Sequence, residues 1–328
     1  DHRTDSPEGS PRTVQFAVAA MFIAMLIVTT RELCHWSQVY TETRTSIAQA
    51  PVKRTRWTVE RRRSSMTSLK SHLSNGKVAL GIVLGDASTD VAEIVSYHCD
   101  WVFIDLEHST IGINEVPDLI RTCELRDAYT LVRIPAGEYG TVNRVLDAGA
   151  DGVIFPQIET VEDAEKAVNT TRYPPAGGRG IGYFRAQRYG SEVFSTFEAG
   201  DDTVLNALMI ESEEAMDNIE EIVAIEHLDA VLVGPLDLAA SRGTLADSKE
   251  QPGDVLGIDE EVKRVARIAR ENGVIFGYPA LDGDTLGTLV DIDGQLIVMD
   301  FTTAILNTNT EQLMTETRSK IPEDLAIR

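Results

Sequence analysis

From residue 78 onward the chain alternates short apolar runs with segments whose apolar residues recur every three or four positions. The runs predict buried strands and the periodic segments predict amphipathic helices. The predicted strands are Val78–Leu84, Trp101–Asp105, Tyr129–Arg133, Gly152–Phe155, Ala207–Ile210, Ala230–Val233, Val274–Gly277 and Gln295–Met299. Between them the pattern predicts helices over Thr89–His98, Ile113–Arg126, Tyr139–Ala148, Val161–Thr171, Glu213–Glu226, Asp259–Glu271 and Leu281–Val290, and a last one over Thr302–Ser319. Ser88 and Ser212 are placed to cap two of these, and Gly149 to close a third. Eight strand–helix units in about 250 residues is the count of a (β/α)8 TIM barrel, with a doubly wound sheet as the alternative.

Residues 1–65 do not share this pattern. Val14 to Thr30 is an uncharged apolar run between Arg12 and Arg31, at the lower limit for spanning a bilayer. A basic, Ser/Thr-rich stretch without periodicity follows, and Met66 then opens a passage that reads like a protein N-terminus. We expect residues 1–65 to be a disordered or extraneous N-terminal extension and 66–328 to be the barrel domain. The alternative is a membrane tether through residues 14–30.

Charge sharpens the division. The formal net charge is −22, yet residues 1–65 hold ten Lys/Arg against six Asp/Glu. The barrel therefore carries 20 basic and 46 acidic side chains. That balance excludes nucleic acid as a partner of the barrel and suits a halophilic protein soluble in concentrated salt. Cys34, Cys99 and Cys123 show no C-x-x-C spacing, so free thiols in a reducing, cytoplasmic setting are expected.

In a barrel the active site lies at the C-terminal ends of the strands. The polar residues gather there: Asp105-Leu106-Glu107-His108 after strand 2, Arg133 after strand 3, Glu211 after strand 5 and Asp237 after strand 6. Glu211 and Asp237 could cap the helices that follow them, or together hold a divalent cation such as Mg²⁺ or Mn²⁺ that leaves sites open for a 2-oxo acid. Arg133 could stabilise charge on an enolate oxygen, and His108, oriented by Asp105, could move the proton. No predicted strand ends in lysine, which argues against a Schiff-base aldolase, and no phosphate-binding glycine loop occurs in a strand-to-helix context.

Four passages, Trp101–Ser109 (WVFIDLEHS), Leu131–Pro135 (LVRIP), Tyr173–Gly180 (YPPAGGRG) and Gly234–Leu238 (GPLDL), together resemble the HpcH/HpaI aldolase family. The resemblance covers roughly residues 66–320. It implies a class II pyruvate aldolase (an aldehyde-lyase, EC 4.1.2-type), using Mg²⁺, Mn²⁺ or Co²⁺, on a (β/α)8 barrel that assembles as a homo-oligomer, usually a hexamer. Carried over by position, Glu211 and Asp237 are the metal ligands, Arg133 contacts the pyruvyl carbonyl and His108 is the acid–base residue. The partner of His108 is either Asp105 or Asp147, which matches an aspartate that the family places in the helix after strand 3. The resemblance also marks Glu159, in Phe155-Pro-Gln-Ile-Glu159, as a decoy for the metal position. Where the family often has a glutamine, two residues before Glu211, this chain has Met209. Gly234, Pro235 and Leu236 are expected near substrate. The glycine-rich insertion around Tyr183 is expected at the substrate mouth or an oligomer contact, with Arg185 and Arg188 as candidates for an acidic tail on the aldehyde portion. The implied reaction splits a 4-hydroxy-2-oxo acid into pyruvate and an aldehyde through a metal-stabilised enolate. Decarboxylation or another lyase reaction of the same enolate, and a membrane-tethered non-catalytic barrel, are the alternatives.

Overall fold

A computed structural model describes residues 67–245, 257–322 and 325; the apolar run 14–30 and Cys34 lie outside them. Eight parallel strands close into a barrel in sequence order, which excludes the open doubly wound sheet. They are β1 (Ala79–Leu84), β2 (Trp101–Asp105), β3 (Tyr129–Arg133), β4 (Gly152–Phe155), β5 (Leu205–Ile210), β6 (Ala230–Val233), β7 (Ile275–Pro279) and β8 (Gly294–Phe301), and β8 pairs back onto β1.

Twelve helices are described alongside them. They are α1 (Leu69–Ser74), α2 (Thr89–Ser96), α3 (Val116–Glu124), α4 (Thr141–Ala148), α5 (Val161–Thr171), α6 (Val193–Thr203), α7 (Glu213–Asp217), α8 (Ile219–Val223), α9 (Pro235–Ser241), α10 (Glu260–Glu271), α11 (Gly283–Asp291) and α12 (Thr302–Arg318). Ser88 and Ser212 accept hydrogen bonds from the backbone N–H of Val91 and Ala215, as their cap positions predict. Gly149 closes α4 in the left-handed conformation at φ 103°.

The core has two layers. Inside the barrel, Trp101, Phe103, Leu131, Ile154, Leu205, Leu232 and Leu296 form one cluster, and Leu69 and Leu73 of α1 join it from the N-terminal end. Trp101 crosses Gly81 so closely that a Cβ there would lie 2.2 Å from the indole, so no larger residue fits. The alternate strand residues, among them Val102, Ile104, Val132, Val153, Leu208 and Val231, pack outward against the helices. At the N-terminal end charged and polar groups pair across the strands. Asp229 pairs with Lys70 and Arg172 and accepts the backbone N–H of Asn206.

Three elements differ from the sequence expectation. The helix expected over Glu213–Glu226 breaks into α7 and α8 at Asn218, whose side-chain amide donates instead to the Glu159 carbonyl at 2.9 Å. The insertion after α5 contains a 3₁₀ turn over Arg185–Gly190 and the helix α6. A short helix, α9, starts directly after β6 with Pro235 in its first turn, where the missing proline N–H costs nothing. Along α12 only Thr302 is buried, and Leu306, Leu313 and Met314 are exposed. Among the described residues no helix is long and apolar enough to cross a membrane.

Candidate active site

Strand periodicity aims the polar residues. On β2, Trp101 and Phe103 face the barrel interior, so the two-residue period turns Asp105 inward at the C-terminal end. The same count carries Leu131 to Arg133 on β3, Met209 to Glu211 past β5, and Leu232 to Gly234 past β6. Asp105 and Arg133 are direct partners in the β2–β3 register. Arg133 Nε and Nη2 donate to Oδ1 and Oδ2 of Asp105, each at 2.8 Å, and both residues are buried. Burial raises the Asp105 carboxyl, but the Arg133 hydrogen bonds and charge outweigh it, helped by the backbone N–H groups of Glu107 and His108. The net effect holds Asp105 below its ordinary value. Phe103 lies under the guanidinium at 5.2 Å, and among the described residues Arg133 Nη1 has the Met209 thioether, a weak acceptor at 3.5 Å, as its one hydrogen-bond partner.

Glu211 is buried, and its Oε1 accepts the backbone N–H of Gln157 at 2.7 Å. Its Oε2 sits over Gly234, where a Cβ would lie only 2.7 Å away; glycine leaves the space this carboxylate occupies. Burial pushes the Glu211 carboxyl up, the Gln157 N–H opposes this, and the charge of nearby Asp237 adds to the rise. Asp237 is exposed in the first turn of α9. Glu211 and Asp237 are two carboxylates whose charges oppose each other, with the Arg133 charge also acting on Glu211, and their oxygens could together hold a hard divalent cation. Among the described residues no group of three or more His, Cys, Asp or Glu is arranged to hold a metal. A cation here would keep most of its coordination sphere open, the habit of Mg²⁺ and Mn²⁺.

The remaining expected residues fall into different places. His108 is exposed on the rim, and its Nε2 lies 3.9 Å from Glu107 Oε2. Asp105 meets His108 only through the backbone N–H, at 3.4 Å, because its carboxylate is committed to Arg133. Asp147 stands in the last turn of α4, at the N-terminal end of the barrel, hydrogen-bonded to Arg179 and Gln187. Neither expected aspartate therefore faces the His108 ring in this chain; the neighbouring carboxylate is Glu107. The insertion is also re-sited. It leaves the C-terminal end of α5 and so emerges at the N-terminal end of the barrel, away from the rim. There Arg185 binds Glu124 and the Ala148 carbonyl, and exposed Arg188 pairs with Glu192 at 3.0 Å. Neither arginine reaches this chain's own rim. Pro235 is buried and Leu236 exposed beside the carboxylate pair. Glu159 is exposed.

Two residues at the rim are given no role by the sequence reading. Glu107 approaches Arg133 Nε at 3.4 Å, and burial raises its carboxyl against the opposing charges of Arg133 and His108. Gln157 bridges Glu211 and Glu107. The run Asp105-Leu106-Glu107-His108 held a signal for the first; nothing in the pattern marked the second.

A closed (β/α)8 barrel with a buried arginine and carboxylates gathered at its C-terminal rim carries polar residues where barrel enzymes place their active sites. Residues 82–300 match the HpcH/HpaI aldolase/citrate lyase family, and the chain belongs to that family. It is an enzyme of the lyase class. It is similar to a 4-hydroxy-2-oxovalerate aldolase of Novosphingobium aromaticivorans, 39% identical over 185 residues, spanning 56% of this chain and 70% of the relative. A 2-keto-3-deoxy-L-rhamnonate aldolase of Klebsiella pneumoniae is 31% identical over 65% of this chain and 80% of its own length. The crystal structure of a family protein from Burkholderia cenocepacia superposes with a TM-score of 0.69 at 32% identity, covering 76% of this chain and 98% of that one.

Proposed function

We propose that this chain cleaves a 4-hydroxy-2-oxo acid into pyruvate and an aldehyde, with a divalent cation held by Glu211 and Asp237. The observation that carries the reading is the Arg133 guanidinium, locked by two bonds to Asp105 beside the Glu211 carboxylate. When bound, the cation would supply Lewis-acid polarisation of the 2-oxo group. Arg133 has two of its nitrogens fixed and, among the described residues, its Nη1 meets a thioether and no stronger acceptor, so that N–H is available to an oxygen gaining negative charge at C2. Because the arginine is already oriented, no reorganisation is needed as that charge develops. His108, in reach of solvent on the rim, takes the proton of the C4 hydroxyl. The C3–C4 bond then breaks, its electron pair passes to C3, the aldehyde leaves and a proton returns to C3 to give pyruvate. The named relatives are aldolases, among them a 4-hydroxy-2-oxovalerate and a 2-keto-3-deoxy sugar-acid aldolase, which supports this substrate class. The same reading includes a homo-oligomer, supported by the exposed apolar residues Leu306, Leu313 and Met314 on α12.

The test is pyruvate release from a panel of 4-hydroxy-2-oxo acids, before and after removal of metal with EDTA and re-addition of Mg²⁺, Mn²⁺ or Co²⁺. Activity lost with chelation and restored by one of these cations supports the reading. Cleavage that survives complete metal removal overturns it.

A further inference from the structure

We infer that Gln157 is a positioning residue that couples the cation-binding and proton-handling halves of the rim. The inference rests on the proposed role of Glu211. Gln157 follows β4 in Phe155-Pro156-Gln157 and has φ 52°, a left-handed conformation that side chains other than Gly, Asn and Asp seldom adopt. Two bonds account for its being held there. Its backbone N–H donates to Glu211 Oε1 at 2.7 Å, and its side-chain Nε2 donates to Glu107 Oε1 at 3.3 Å.

Each bond does a separate task. Among the described residues the Gln157 N–H is the only hydrogen-bond donor to the Glu211 carboxylate. It occupies Oε1 and leaves Oε2, poised over Gly234, for a cation. An N–H to a buried carboxylate is a charge-assisted bond, and it fixes the carboxylate against repulsion from Asp237 and Glu107. The side-chain amide holds Oε1 of Glu107, whose Oε2 lies 3.4 Å from Arg133 Nε and 3.9 Å from His108 Nε2. One residue thus sets the orientation of the proposed metal ligand through its backbone and that of Glu107, the carboxylate beside Arg133 and His108, through its side chain. The strand-4 motif that mimics a metal site contributes through its glutamine, not through Glu159.

The two tasks separate by mutation. Gln157→Gly keeps the N–H and favours positive φ, but loses the amide. Gln157→Pro removes the N–H and cannot adopt positive φ. Mn²⁺ binding, read by electron paramagnetic resonance, and the rate of pyruvate methyl-proton exchange in D₂O are measured on both, with near-ultraviolet circular dichroism to confirm folding. Gln157→Gly is expected to bind Mn²⁺ within about twofold of wild type and yet to lose roughly tenfold in kcat at unchanged KM, partly restored in Gln157→Asn. Gln157→Pro is expected to weaken Mn²⁺ binding by roughly 10- to 100-fold, the range for loss of a ligand's supporting bond. Wild-type kcat in Gln157→Gly overturns the inference whether or not the proline variant folds, and so does wild-type Mn²⁺ affinity in a folded Gln157→Pro. Glu211→Gln is the control. If it also binds Mn²⁺ normally, the cation site itself is misassigned; if it loses Mn²⁺ while both Gln157 variants behave as wild type, only the role of Gln157 fails.

Discussion

Replacing Asp105 with asparagine separates two accounts of the strand-2 carboxylate. The structure makes it the anchor of Arg133, with two 2.8 Å bonds in a site where both side chains are at least nine-tenths buried. Asparagine keeps the shape but leaves the guanidinium charge without its counter-ion. Removing one partner of a buried pair costs about 3–5 kcal/mol. Glu107, at 3.4 Å from Arg133 Nε, takes up part of the charge and places the expectation near the lower end, about 3 kcal/mol. For a domain of this size that corresponds to a melting temperature lower by about 6–12 °C. Urea unfolding followed by circular dichroism and a calorimetric melt both read it. Released from its fork, Arg133 no longer presents Nη1 in a fixed direction, and about 10²-fold is expected to be lost from kcat/KM. Adding Arg133→Met to the asparagine variant removes the orphaned charge, so stability should recover while activity does not. If Asp105 instead served to orient the His108 ring, Asp105→Asn would move the pH–rate profile and leave stability almost untouched. A destabilisation under about 1 kcal/mol, the worth of an exposed pair, would refute the anchoring role.

Acid unfolding offers an independent reading of the same pair. Asp105 is held below its ordinary value of 3.8, so its contribution is full above that pH and is lost as pH falls through the lower folded-state value. The stability difference between wild type and Asp105→Asn should therefore shrink on acidification below about pH 3.8; a difference constant down to pH 2 contradicts it. Gly234→Ala would bring a Cβ to 2.7 Å from Glu211 Oε2, and is expected to weaken Mn²⁺ binding by roughly tenfold in a folded protein, read by titration calorimetry. Glu211→Ala should abolish Mn²⁺ binding while Glu159→Ala leaves it intact, and the opposite result in the same titration would transfer the ligand to strand 4.

Strand content is legible in the sequence because parallel barrel strands are buried on both faces and read as continuous apolar runs. The limits of β2, β3, β4 and β6 follow directly from those runs. The inward aim of Asp105, Arg133 and Glu211 follows from the two-residue period. Side-chain partnership does not. Whether Asp105 turns toward His108, three residues away, or toward Arg133 on the next strand depends on the register that makes Asp105 and Arg133 neighbours. Asp147 is recognisable as a helix residue, yet the last turn of α4 carries it to the far end of the barrel, beside Arg179. The insertion reads as a loop because its prolines and glycines precede α6, and Glu192 at the start of that helix makes no side-chain cap. Gln157 gives no warning, since glutamine is not a residue expected at positive φ and its backbone bond to Glu211 carries no side-chain signature.

The central claim is that this rim stabilises the enolate of a 2-oxo acid, so that protonation at C3 runs in both directions and the methyl protons of pyruvate exchange. Incubating the Mn²⁺-loaded protein with pyruvate in D₂O and following the methyl signal by nuclear magnetic resonance tests it without knowledge of the aldehyde. Exchange of the methyl protons is predicted for wild type, stopped by EDTA, and reduced by at least about 10²-fold in Arg133→Lys, which cannot keep the two-point grip on Asp105. A methyl signal that exchanges no faster than in protein-free Mn²⁺ solution, or exchange undiminished in Arg133→Lys, would contradict the account.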